Sequence, residues 1–188
     1  MILLLTSSIK IMAWLVAIIA ATAASRLTRL GGDGLVRHMR ASSDAVLIVD
    51  GNNVRGADCF ATSLQELSSA LVEWSTSNGI TSVLMLDHGV EQRAYRLAPH
   101  AVLAFSGPAQ TADDLIVRDA LWLRKEQQQP VFVVTGDTGL ILRTRQYRSK
   151  SCASLQVFPS TAFARLLLGD GHDPAVADGP PISRSAHR

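Results

Sequence analysis

Between residues 44 and 168 the chain alternates short apolar, β-branched runs with longer stretches whose apolar positions recur at helical spacing. No other feature restricts its fold as much. Ala45-Val46-Leu47-Ile48-Val49 is apolar without a break, as expected of a strand buried on both faces. Further strands are expected over residues 81–86, 101–105, 131–134 and 155–158. Between them, residues 64–74 and 112–123 carry their apolar side chains on one helical face, and residues 161–168 close as a last helix with Ser160 as its N-cap. Alternating strands and helices predict an α/β fold: a three-layer sandwich with a mainly parallel sheet and helices on both faces.

In such a sheet, ligands sit beyond the carboxyl ends of the strands. Those positions are acidic here. The first strand runs into Asp50-Gly51-Asn52-Asn53, the second into Asp87-His88-Gly89 and the fourth into Thr135-Gly136-Asp137. The loop after the third strand delivers Ala112-Asp113-Asp114 to a helix start. Each acid alone is an ordinary turn or cap residue, and at least one of Asp113 and Asp114 is expected to cap its helix. The set is different, because the parallel topology brings five carboxylates to one edge. Two unit charges about 4 Å apart repel by about 4 kcal/mol at an effective dielectric near 20. A divalent cation removes that repulsion. All-oxygen ligands select Mg²⁺ or Mn²⁺, as one ion or two. The only cysteines are Cys59 and Cys152, and the five histidines lack metal-ligand spacing. A disulfide scaffold and a Cys-based zinc cluster are thereby excluded, and a His-ligated zinc finds little support.

Charge divides the chain into three. Residues 1–43 carry five basic groups and one acid, residues 44–168 eleven and twelve, and residues 169–188 two and three. The central domain is therefore slightly acidic, and a nucleic-acid reading cannot rest on net charge. The first segment holds an apolar run from Ile11 to Ala24 and then the Arg- and Ser-bearing stretch from Ser25 to Ser43. A signal-like run followed by a transit-like one predicts delivery to an organelle, a plastid above all, with the secretory pathway or a membrane anchor as the alternative. The mature domain is expected not to be membrane-embedded. Residues 169–188 read as a disordered tail.

The ordered set Val49-Asp50-Gly51-Asn52-Asn53, Asp87, Thr111-Ala112-Asp113-Asp114-Leu115-Ile116 and Val134-Thr135-Gly136-Asp137 resembles the NYN domain, in particular its YacP-like branch, within the PIN-like nuclease superfamily. The resemblance covers about residues 45–168. It implies a Rossmann-like (PIN-like) sheet and a metal-dependent ribonuclease that needs no small organic cofactor. On that resemblance Asp50, Asp113 and Asp137 match the family's catalytic, metal-binding acids. Asp87 and Asp114 join them as ligands, Asn53 orients Asp50 or a phosphate, and Thr135 supports Asp137 from behind. Two departures stand out. Thr138-Gly139 follow Asp137 where a further acid is common, and Asn52 replaces an aromatic residue.

Arg143, Arg145, Arg148 and Lys150 lie within eight residues, with Tyr147 among them, and are expected to meet RNA phosphates, as is Arg55. Arg93 and Arg96 are weaker candidates. The resulting expectation is an RNA endonuclease acting on mRNA or rRNA through an aspartate cluster. Its alternative is a non-catalytic RNA- or ribosome-binding module that keeps the fold. A haloacid-dehalogenase-type phosphatase ranks last, because the D-x-D signature is missing at Asp50.

Overall fold

The computed structural model describes Met39, Ser42, residues 44–146 and residues 152–169. Nearly all of the expected leader, all but Gly169 of the expected tail, and Tyr147, Arg148 and Lys150 lie outside these residues.

The described elements follow in the order β1 (Val46–Asp50), α1 (Gly51–Ala57), α2 (Leu64–Asn78), β2 (Thr81–Leu86), β3 (His88–Ala98), β4 (Ala101–Gly107), α3 (Ala112–Lys125), β5 (Val131–Val134), α4 (Thr138–Gln146), β6 (Leu155–Phe158) and α5 (Ser160–Leu168). Six strands make one sheet in the order β3-β4-β2-β1-β5-β6. All neighbours are parallel except β3 and β4. The expected three-layer, Rossmann-like α/β sandwich is what forms.

The unbroken apolar run of β1 has a direct cause. Alternate side chains of a strand point to opposite faces, and both faces of β1 are covered. Val46 and Ile48 join Val83, Val133, Leu115, Ile116, Leu123 and Leu140, the layer built by α3 and α4. Leu47 and Val49 join Phe132, Val54, Leu67, Leu71 and Phe163, the layer built by α1, α2 and α5. Met39 is buried in this second layer too, so the core takes in a residue from the segment that the charge division assigns to the leader. Trp74 stacks edge-on against Phe163, with ring centroids 5.5 Å apart.

Three elements were not expected, α4 over Thr138–Gln146 among them. β3 is an eleven-residue antiparallel edge strand. Its side chains mostly face water, so it carries none of the apolar alternation that marks a strand, and it opens on His88 at φ 87°. α1 is seven residues of turn-forming character, with Asp50 as its N-cap. One cap also differs from expectation. Pro159, not Ser160, holds the N-cap position of α5, because the Ser160 hydroxyl is bonded elsewhere. Among the described residues no helix is long and apolar enough to cross a membrane.

The strand order reverses at β1. From there β2 and β4 lie to one side, β5 and β6 to the other. Such a switch point leaves a crevice at the carboxyl ends of the two central strands. Val49 pairs with Val134, so Asp50 and Thr135, one residue further on, end adjacent strands side by side.

Candidate active site

The crevice is an open cleft of about 520 Å³, and Asp50, Asp87, Asp113 and Asp137 all line it. Asn52, Asn53, Phe60 and Ser160 complete its walls. Four of the five expected acids therefore meet. Asp114 does not. It closes the capping box of α3, trading hydrogen bonds with the Thr111 N-cap, and its carboxylate takes Arg143 Nη2 at 2.5 Å. The Thr111 backbone bond, followed by Arg143, holds the Asp114 carboxyl below its ordinary range. Residues 113 and 114 point to different sides of the helix start, one to the cleft and one to the cap.

Asp50 is 4% exposed, and both of its oxygens are occupied. Oδ1 accepts the Asn53 backbone N–H at 3.0 Å, and Oδ2 accepts the Thr135 hydroxyl at 2.9 Å. Burial pushes its carboxyl up. Those two bonds oppose the rise, while the negative charges of Asp113 and Asp87 add to it. Asp87 is held from two sides, by the Ala112 backbone N–H at 2.6 Å and by Asn52 Nδ2 at 3.1 Å. Asn52 thus fixes one acid of the cleft. Asp137 caps α4, its Oδ1 accepting the Leu140 N–H at 2.9 Å. Asp113 is half-buried, and its carboxyl is raised first by burial and then by the charge of Asp137, against the pull of Arg143.

Thr135 sits between two of these acids. Its hydroxyl donates to Asp50 and accepts the Asp137 backbone N–H at 3.1 Å. Asn53 ties three elements together. Its Oδ1 accepts the Gly136 N–H at 2.7 Å and the Ser160 hydroxyl at 2.8 Å. These donors fix which end of the amide is oxygen and leave the NH₂ group for the cleft. Two glycines permit the approach. A Cβ on Gly136 would stand 2.9 Å from Asn53 Oδ1. One on Gly51 would stand 2.7 Å from Leu86 Cδ2 and 3.0 Å from the Met85 carbonyl oxygen. The Asp-Gly pairing after β1 is therefore steric: a bare residue fits there without shifting the Leu84 and Leu86 side chains or the Met85 carbonyl.

Of the expected RNA contacts, Arg143 is at the site but is engaged by acids, 3.7 Å from Asp113 and 2.5 Å from Asp114. Arg145 is exposed on α4. Arg55 donates Nε to the Thr62 carbonyl and lies against the Phe60 ring. Arg148 and Lys150 fall outside the described residues. Ser160, Asn52 and Phe60 line the cleft without having been candidates. Ser160 is hidden by resembling a helix cap, and Phe60 by standing in a loop with no periodicity.

The donor set is made of hard oxygens, and its negative charge is only partly compensated, which suits a hard divalent cation. Among the described residues no three Asp, Glu, His or Cys side chains are gathered closely enough to hold a metal ion by themselves. The oxygens of Asp50 and Asp87 are instead bonded to protein donors. Compared with known proteins, the chain matches no family model, no curated protein and no solved structure.

Proposed function

We propose that the cleft is the hydrolytic centre of a metal-dependent RNA endonuclease. One observation carries the reading. Four aspartates from four separate points of the chain line one crevice at the switch point, and two of them, Asp50 and Asp113, are raised by burial and by the charge of neighbouring aspartates. Folding alone does not favour such a centre. Mg²⁺ usually keeps several waters and binds protein through one or two carboxylates, so Asp137 and Asp113 would hold Mg²⁺ or Mn²⁺ directly, with Asp50 and Asp87 reached through water. When bound, the ion supplies an activated water and charge neutralisation for in-line phosphodiester cleavage, leaving 5′-phosphate and 3′-hydroxyl ends.

The protein's own residues do the positioning. Thr135 keeps Asp50 turned inward, Asn52 and the start of α3 fix Asp87, and the Asn53 amide group stands ready for a phosphate oxygen. RNA as the substrate, and membership of the NYN, YacP-like branch, rest on the resemblance of the motifs. Delivery to a plastid rests on the leader's composition.

The test is cleavage of labelled RNA in Mn²⁺ or Mg²⁺. Asp50→Asn and Asp137→Asn should each abolish it, since asparagine keeps the helix cap and loses the charge. Full activity in both variants overturns the reading. The ion pairs of Arg143 favour a second reading, the non-catalytic RNA- or ribosome-binding module, because they already bring a cation to Asp113 and Asp114. It predicts RNA binding that survives EDTA, with no cleavage under any divalent ion.

A further inference from the structure

We propose that Phe60 is a stacking platform for an unpaired nucleobase, so that the cleft takes single-stranded rather than duplex nucleic acid. The proposal rests on the RNA reading above and names the form of the substrate.

The loop after α1 is built to display this ring. The Arg55 carbonyl accepts the N–H groups of Asp58 at 3.1 Å and of Phe60 at 2.8 Å. The buried Asp58 carboxylate takes both the backbone N–H and the hydroxyl of Thr62. Arg55 Nε closes the loop on the Thr62 carbonyl at 3.1 Å. Within this frame Cys59 and Phe60 adopt left-handed φ values of 49° and 60°, a conformation that disfavours residues with a side chain. Phe60 is nevertheless 57% exposed. A strained, hydrogen-bonded loop that holds a large apolar ring in water works against folding, and such strain gathers where function requires it.

The ring is in place for a base. It lines the same cleft as Asp50, Asn53 and Asp87. Its edge lies 3.6 Å from where a Cβ on Gly56 would be, and the Arg55 guanidinium carbon is 5.4 Å from its centroid. The supported ring lines the cleft and stays more than half exposed. Aromatic rings stack on any base, but only where the base is free of its own helical neighbours, as in single strands, bulges and loops. The floor of the cleft is acidic and repels phosphate, so beyond the Asn53 amide the site needs a hold that does not depend on positive charge. Stacking supplies it.

The test uses the full chain as wild type, Phe60→Leu and Phe60→Trp. Each is titrated by anisotropy with a fluorescein-labelled twelve-nucleotide RNA, as a single strand and as a duplex, at low and moderate salt. Phe60→Leu should weaken single-strand binding by about tenfold, by the same factor at both salt concentrations, with duplex binding unmoved. Phe60→Trp should bind like wild type, and its indole emission in excess of that from the three native tryptophans of the wild type should fall as the strand is added. Single-strand binding by Phe60→Leu within twofold of wild type overturns the platform, as does emission that ignores the strand. Cleavage of the same RNA in Mn²⁺ is read alongside. A wild type that binds but never cleaves removes the hydrolytic reading and leaves the Phe60 comparison decisive. A wild type that binds no strand removes the platform.

Discussion

The Thr135 hydroxyl donates to Asp50 Oδ2 at 2.9 Å, joining residues 85 positions apart at the ends of two adjacent parallel strands. The same oxygen accepts the Asp137 N–H, so one hydroxyl sets the position of two acids. Thr135→Val keeps the shape and removes both bonds. It leaves a buried carboxylate oxygen and a backbone N–H unmet, and should cost about 1–3 kcal/mol in urea unfolding. Thr135→Ser should recover most of that loss. Equal stability of the valine and serine variants would show that the hydroxyl does not tie the strands.

The raised carboxyls of Asp50 and Asp113 give stability a sign against pH. Between the ordinary value of 3.8 and the raised values, the folded chain holds more protons than the unfolded one. Unfolding free energy therefore falls as pH rises through that window. Asp114, whose carboxyl is lowered, acts in the opposite sense: its contribution is present above 3.8 and is lost only as pH falls below it. Asp113→Asn removes part of the first effect. In EDTA, its stability relative to wild type should improve as pH rises from about 4 toward neutrality, then level off. A relative stability that falls over that range would contradict the charge crowding.

A cation that binds only the folded cleft stabilises the fold by mass action, by about 2.7 kcal/mol at a hundredfold excess over the dissociation constant, and so raises the melting temperature. Mn²⁺ or Mg²⁺ should therefore raise the melting temperature of the wild type at neutral pH, but much less below pH 4. Asp137→Asn should abolish most of the shift, because Asp137 offers the cleft a carboxylate oxygen beyond the one that caps α4. Scanning calorimetry with and without EDTA reads this without any substrate.

Much of this arrangement is legible in the sequence, for identifiable reasons. β1, β2 and β5 are buried on both faces, so each ends in a continuous apolar run, and an acid within three residues of that run lies at the carboxyl edge of the sheet. β3 is illegible because its surroundings are mostly water, which imposes no pattern on its residues. Asp113 and Asp114 are separated by a spacing the acid pattern alone does not use: Thr111-x-x-Asp114 is a capping box, which turns Asp114 to the helix start and leaves Asp113 to the cleft. Asn52 reads as a departure until Asp87 is found opposite it, and residues 35 positions apart offer no local signal of that bond. Ser160 has the spacing of a cap, but its hydroxyl is claimed by Asn53.

Arg143 answers the acids on α3 and lowers the Asp113 carboxyl against burial. Arg143→Gln should leave the cleft more negative and tighten Mn²⁺ binding by about two- to fivefold, the scale of an exposed ion pair, as read by calorimetric titration. Weaker Mn²⁺ binding would mean that the arginine organises the acids rather than competing for them.

Asp137 caps α4 at its first turn, and Arg143 rides on the same nine-residue helix. One acid of the cleft and its opposing cation thus belong to a single rigid rod. Any tilt or slide of that rod alters attraction and repulsion in the crevice together, so the electrical balance of the site cannot be tuned at one end without disturbing the other.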